Sequence, residues 1–176
     1  CIALTDHDLA PLLPAGRNSV GKRVLHVIHG VELSGTHDQN EFHLLVYFPG
    51  EMPQSFKDFC TQRAQSRFDR YERARKILGF EAIPPADAAA KKGQRALTRL
   101  HLAHAMVDSG VVENRSEAFE QYLGNNPELF PPVQLSFIDA IQEARLAGGV
   151  CSWAHPSWHH AQKHAKTFKD AGLQGL

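Results

Sequence analysis

Residues 23–48 read RVLHVIHGVELSGTHDQNEFHLLVYF and hold two runs rich in Val, Ile and Leu, RVLHVIHGVEL (23–33) and EFHLLVYF (41–48). The second is bounded by Asp38–Asn40 and by Pro49–Gly50, and both runs predict β-strands. Each carries a group that an apolar strand does not need. Glu32 stands between Val31 and Leu33, where a buried, unpaired carboxylate costs several kcal/mol, so it is expected to be paired, liganded or at the surface. His43 alternates with Phe42 and Leu44 and faces away from them, as a residue on a wet face also would.

Working outward, the opening CIALTDHDLA (1–10) drops from the apolar Ile2–Leu4 straight into Asp6, His7 and Asp8, and VCSWA (150–154) ends in His155–Pro156. A lone His after a strand is more often a hydrogen-bonded turn residue than a ligand. The joint placement of His7, Glu32, His43 and His155 on separate strand-like runs points instead to a metal site. In parallel β/α sheets and barrels the carboxyl ends of the strands converge on one face. Imidazole together with carboxylate suits zinc, manganese or iron rather than a thiolate-selected metal.

Between these runs, APLLPAGRNSVGKR (10–23) is too rich in Pro and Gly for a long helix and predicts a loop or short helix. Phe56, Phe59/Cys60, Ala64, Phe68, Tyr71, Ala74 and Ile77/Leu78 make one apolar stripe, predicting a long amphipathic helix ended by Gly79. IPPADAAAKKGQ (83–94) reads as a short helix or connector. Further helices are expected over roughly 100–109 and from near Ser116, the latter burying Ala118, Phe119, Tyr122 and Leu123. Ser136, with Asp139 three residues on, is placed to cap another helix closed by Gly148–Gly149. A last helix is expected to bury Trp158, Ala161, Ala165 and Phe168. Strands alternate with helices at both ends and a helical block interrupts them. That is an α/β fold with an inserted helical subdomain, divided as 1–55, 56–135 and 136–176.

Lys plus Arg equals Asp plus Glu, at 19 each, which argues against a broad electrostatic grip on long duplex nucleic acid but leaves room for a small phosphorylated substrate. Cys1, Cys60 and Cys151, an odd number without C-x-x-C spacing, argue against a disulfide framework or a cysteine-held zinc and for the reducing cytoplasm. No stretch has the length of a membrane span, and no membrane partner is expected. The strand-like opening and the closing DAGLQGL read as an interior segment of a longer protein.

LTDHD (4–8), GVELS (30–34), FHLLVYF (42–48), TRLHLAHAMVDSG (98–110), AFEQYLG (118–124) and AGGVCSWAHP (147–156), in this order and spacing, resemble the PHP (polymerase and histidinol phosphatase) family of metal-dependent phosphoesterases. They are most similar to the subgroup that hydrolyses nucleoside 3′,5′-bisphosphates and trims short RNA from the 5′ end. The resemblance implies a distorted (β/α)7-type barrel whose first and last strands are lacking from this segment, with a cluster of up to three divalent ions (Mn, Zn or Fe). It implies His7, Glu32, His43 and His155 as ligands, Glu32 bridging two metals. Asp6, and with it Asp8, would orient its neighbours through hydrogen bonds. His7, Asp6 and His101 would act in catalysis, with His101 or a ligand outside this segment as the proton donor. An H-x-H motif upstream and an Asp and a His downstream would complete the cluster.

For the substrate, the resemblance implies Arg99 and His101 at a helix start as phosphate-binding residues, with Arg67 and Arg70 meeting a second phosphate. On spacing alone, Arg63, Arg67 and Arg70 form one helix side of the kind usually solvated. The subgroup has Lys or further Gly after Gly124 and Tyr before the following Pro, where this chain has Asn125, Asn126 and Phe130. Two rival readings are a phosphatase of histidinol phosphate or another small phosphomonoester, and a non-catalytic PHP interaction module. His26, His29, His37, His104, His159, His160 and His164 match no motif and read as surface or packing residues.

Overall fold

The two apolar runs pair with each other. In the computed structural model, which describes residues 1–89, 96–124 and 126–176, they are the arms of one long hairpin, β3 (Arg23–His37) and β4 (Asn40–Phe48). Its register sets Val31 opposite Val46, Leu33 opposite Leu44 and Ser34 opposite His43. The turn residues Asp38 and Gln39 both have positive φ, 46° and 63°, the two-residue geometry whose twist matches that of the flanking strands.

Strand β1 (Ile2–Leu4) pairs parallel with β3, while β5 (Val150–Trp153) pairs antiparallel with β4, in the order β1-β3-β4-β5. β2 (Gly16–Val20) lies antiparallel to the first part of β3. This strand falls where a loop or short helix is expected. Its GRNSV sequence is held by backbone hydrogen bonds rather than by a buried face, so it carries no apolar alternation to read. The described strands form one mixed five-stranded sheet, and only the β1–β3 pair is parallel. The parallel β/α convergence expected from the sequence is therefore replaced, around Glu32 and His43, by an antiparallel hairpin.

The chain forms two units, residues 1–61 with 133–176, and residues 62–132. In the first, Val31, Leu33, Leu44, Val46 and Trp153 give one sheet face a core shared with α5 (Phe137–Leu146) and α6 (Trp158–Asp170). Phe42, Phe137, Trp153 and Phe168 meet there, with ring centres 4.7 Å apart for Phe137 and Phe168 and 5.0 Å for Trp153 and Phe168. Ser136 caps α5 by accepting from the Asp139 amide, and Ser157 caps α6 by accepting from that of His160. Trp158 is not buried as expected but 78% exposed, because it opens α6; the helix first meets the core at His160 and Ala161 and is fully buried only at His164 and Phe168.

In the second unit, Tyr71 and Ala74 of α1 (Gln54–Leu78) cluster with Leu102 and Met106 of α3 (Arg99–Asp108) and with Leu123, Leu129 and Phe130. Ile77, on the expected stripe, is exposed. The helix expected from Ser116 is a short α4 (Arg115–Ala118), capped by Asn114, that widens into a π-turn over Phe119–Leu123. Of the connector expected at 83–94, α2 (Ala86–Ala89) is helical; residues 90–94, like Asn125, lie outside the described residues. Among the described residues no helix is long and apolar enough to cross a membrane.

Gly35 sets how closely β3 approaches α5. A Cβ there would lie 2.8 Å from Phe137 Cα and 3.1 Å from its amide nitrogen, backbone atoms that cannot rotate away. Gly35→Ala should destabilise the fold by about 1–3 kcal/mol, the usual range for overpacking, as read from the urea midpoint. An unchanged midpoint would show that α5 can retreat without loss.

Candidate metal centre

Glu32 and His43 share the sheet face opposite Val31, Leu33, Leu44 and Val46. Because Glu32 pairs with Leu45 and Ser34 with His43, the two are diagonal neighbours within side-chain reach. The loop after β1 is tied to the same stretch. The Glu32 amide donates to the Asp6 carbonyl (3.2 Å) and the Asp8 amide to the Glu32 carbonyl (2.9 Å), setting His7 beside Glu32. Asp8 turns back with φ 53° and buries its carboxylate, which accepts from the Ser34 amide at 2.9 Å. His155 follows β5 with φ 37°, just after the Ala154 amide donates to the His43 carbonyl at 2.8 Å.

Three imidazoles thus reach one carboxylate. His43 Nδ1 lies 3.2 Å and His155 Nε2 3.5 Å from Glu32 Oε1, and His7 Nε2 lies 3.8 Å from Oε2. His43 Nδ1 and His155 Nε2 are themselves 3.2 Å apart. The hydrogen bond from His43 holds the Glu32 carboxyl below its usual range, against the opposing effect of burial. Burial alone would lower the His43 pKa, but its hydrogen bonds with Glu32 and Glu41 outweigh that and push it up to about 9.

These groups fit a divalent cation. Ligand atoms of His7, Glu32 and His43 lie within 4.8 Å of one another. Two imidazoles on one tetrahedral metal, at about 2.0–2.1 Å each, hold their ring centres about 5 Å apart. Here the centres are separated by 4.7 Å for His7 and His43 and 5.1 Å for His43 and His155.

Asp6 is exposed and joins the site through its backbone carbonyl, whereas Asp8 is the buried carboxylate that braces it. Arg67, Arg70, Arg99 and His101 belong to the unit at 62–132. There the guanidinium carbons of Arg70 and Arg99 lie 5.5 Å and 5.7 Å from the centre of the Phe130 ring. Arg67 is half-buried one turn before Arg70. His101 Nδ1 accepts from the Thr98 amide at 3.1 Å, closing a capping box on α3. Sequence reasoning noted Phe130 only as a departure from a Tyr; its place under two guanidiniums becomes visible in the fold.

The pair sets a pH window for the metal-free protein. The folded pKa of His43, about 9, lies above its ordinary 6.5, so its contribution is complete below about 6.5 and is lost as pH rises through about 9. Glu32 is shifted the other way, and its contribution is lost as pH falls below its ordinary 4.5. With chelator present, the melting temperature of the wild type should exceed that of His43→Gln most between about pH 5 and 6.5, and the gap should close by about pH 10. A gap independent of pH would count against the pairing.

No family model matches the chain. It is 29% identical over 160 residues to the 5′-3′ exoribonuclease Rnm of Salmonella typhimurium, covering 88% of this chain and 55% of the relative. It is 28% identical over 189 residues to the 3′,5′-nucleoside bisphosphate phosphatase of Chromobacterium violaceum, covering 99% and 65%. The chain therefore spans 55% to 65% of the length of these curated relatives. A solved chain from Bifidobacterium adolescentis, described as a metal-dependent phosphoesterase, superposes with a TM-score of 0.69 at 23% identity, over 86% of this chain and 57% of that one. The chain is thus similar in sequence to proteins named 5′-3′ exoribonuclease and 3′,5′-nucleoside bisphosphate phosphatase, and it shares the mixed α/β fold of the solved Bifidobacterium chain.

Proposed function

We propose that this chain is part of a cytoplasmic, metal-dependent phosphoesterase that hydrolyses a small nucleotide substrate, a nucleoside 3′,5′-bisphosphate or the 5′ end of short RNA. The observation that carries the reading is the approach of His7, His43 and His155, from three separate segments, to the single Glu32 carboxylate. The relatives named for this chemistry support it.

His7, Glu32, His43 and His155 would hold divalent ions, manganese, zinc or iron, up to three in the complete seven-unit barrel. Bound there, such ions would supply Lewis acidity and a water of lowered pKa. The chain's own residues do the positioning. Asp8 pins the His7 loop to β3 through the Ser34 amide, so the imidazole is held beside Glu32 before any ligand arrives. Asp6 fixes the same loop through its carbonyl. Arg99, Arg67 and Arg70 are assigned to the substrate's phosphates. The shared Phe130 ring supports this by holding two of the three guanidiniums at one place. His101, its ring fixed by Thr98, is assigned to the phosphate and to proton donation toward the leaving oxygen. The balanced net charge suits a mononucleotide or a short end rather than long duplex.

In the full-length protein, Glu32→Gln should lower both bound manganese and the turnover of a nucleoside 3′,5′-bisphosphate, the latter by about 100-fold or more. Unchanged turnover would overturn the assignment. Arg67→Ala should cut kcat/KM for the bisphosphate by about 10- to 100-fold, the worth of one charge-assisted hydrogen bond, and leave a monophosphate ester little affected. Equal losses on both would remove the second-phosphate role and favour a small phosphomonoester as substrate.

A further inference from the structure

A second group of ligand-competent side chains sits on the other face of the same hairpin. His37 is five residues beyond Glu32 on β3, about 17 Å along the strand, and shares the face of Val31 and Leu33 rather than that of Glu32. Asp38 follows it in the turn, and His164 comes from α6. Ligand atoms of these three residues lie within 4.8 Å of one another.

His164 is the anchor. It is 3% exposed, among Phe42, Phe168 and the His37 ring, and its Nε2 is buried without a hydrogen bond among the described residues. Buried polar atoms are normally satisfied, and a ring nitrogen left without a donor or acceptor is suited to a cation. The His37 and His164 rings are perpendicular, with centres 5.1 Å apart, and two imidazoles on one tetrahedral metal require about 5 Å.

Asp38 supplies the negative charge. One oxygen takes the Lys163 ammonium at 3.2 Å, while the other lies 4.0 Å from His37 Nε2. Donor atoms of a tetrahedral zinc stand about 3.3 Å apart, so the group closes by roughly 1 Å on loading. The exposed turn and the half-buried His37 allow that movement. His160, one helical turn before His164 with its ring centre 6.2 Å away, is the next imidazole at hand.

We propose that His37, Asp38 and His164 form a second metal site, separate from the Glu32 centre, that takes a late first-row divalent ion of the zinc class and ties the hairpin turn to α6. Two imidazoles with one carboxylate exclude magnesium and calcium, which take oxygen ligands, and fit zinc, cobalt or nickel. The fourth position goes to water or to His160.

The test uses the full-length protein, stripped of metal and titrated with Co2+ alone, then with Zn2+. The wild type should bind one more equivalent of Co2+ than His37→Gln or Asp38→Asn, and the lost equivalent should carry the visible absorption of a tetrahedral nitrogen–oxygen site. Zn2+ should raise the melting temperature of the wild type above that of either variant, while the chelated proteins melt together. Phosphoester hydrolysis should survive in both variants, which separates this site from the Glu32 centre. Equal Co2+ equivalents in wild type and variants would overturn the proposal. His164→Asn adds a third arm where it folds; the His37 and Asp38 variants decide the question without it.

Discussion

The register of the β3–β4 ladder is the constraint on which the rest depends. With Ser34 opposite His43, Glu32 and His43 become diagonal neighbours on one face, while Val31, Leu33, Leu44 and Val46 go to the core on the other. A slip of one residue would exchange those faces, burying the carboxylate and wetting four aliphatic side chains. The same hydrophobic force that builds the core therefore fixes the acid–imidazole pair. Core and site are two readings of one alignment.

The site is then completed by short connections made at the backbone. The Asp6 carbonyl, the Asp8 amide and the Asp8 carboxylate bind three successive points of β3 from Glu32 to Ser34, leaving His7 little freedom beside the carboxylate. The Ala154 amide does the same for the segment carrying His155, through the His43 carbonyl. His7 and His155 are each delivered by a bridging hydrogen bond one residue away, and His43 stands in the β3–β4 ladder itself. Such placement is stiffer than a loop could provide, which suits groups that must converge within a few ångströms.

Much of this was legible in the sequence, for a physical reason. Glu32 and His43 interrupt apolar runs, and His7 and His155 end them, so each stands out as a polar group placed where burial penalises it. Asp6 and Asp8 could not be told apart, because the difference lies in a left-handed backbone turn and one amide of Ser34. β2 was invisible because an edge strand held through its backbone has no buried face to impose a pattern. Trp158 was misplaced because helical periodicity says which residues share a side, not where along the helix contact with the sheet begins. His37 and His164 carried no local signal; chain folding alone brings the turn of one element to the middle of another.

Asp8 and His155 carry a further implication. Both are non-glycine residues with left-handed backbone, at φ 53° and 37°, and they stand on two of the segments that converge on Glu32. Such conformations cost on the order of 1 kcal/mol each, so the convergence of these segments is held at the expense of local backbone strain. A glycine at either position would ease the chain but surrender the side chain that the bend exists to aim. The polypeptide accepts tension in two bends so that its grip is shaped in advance of the guest.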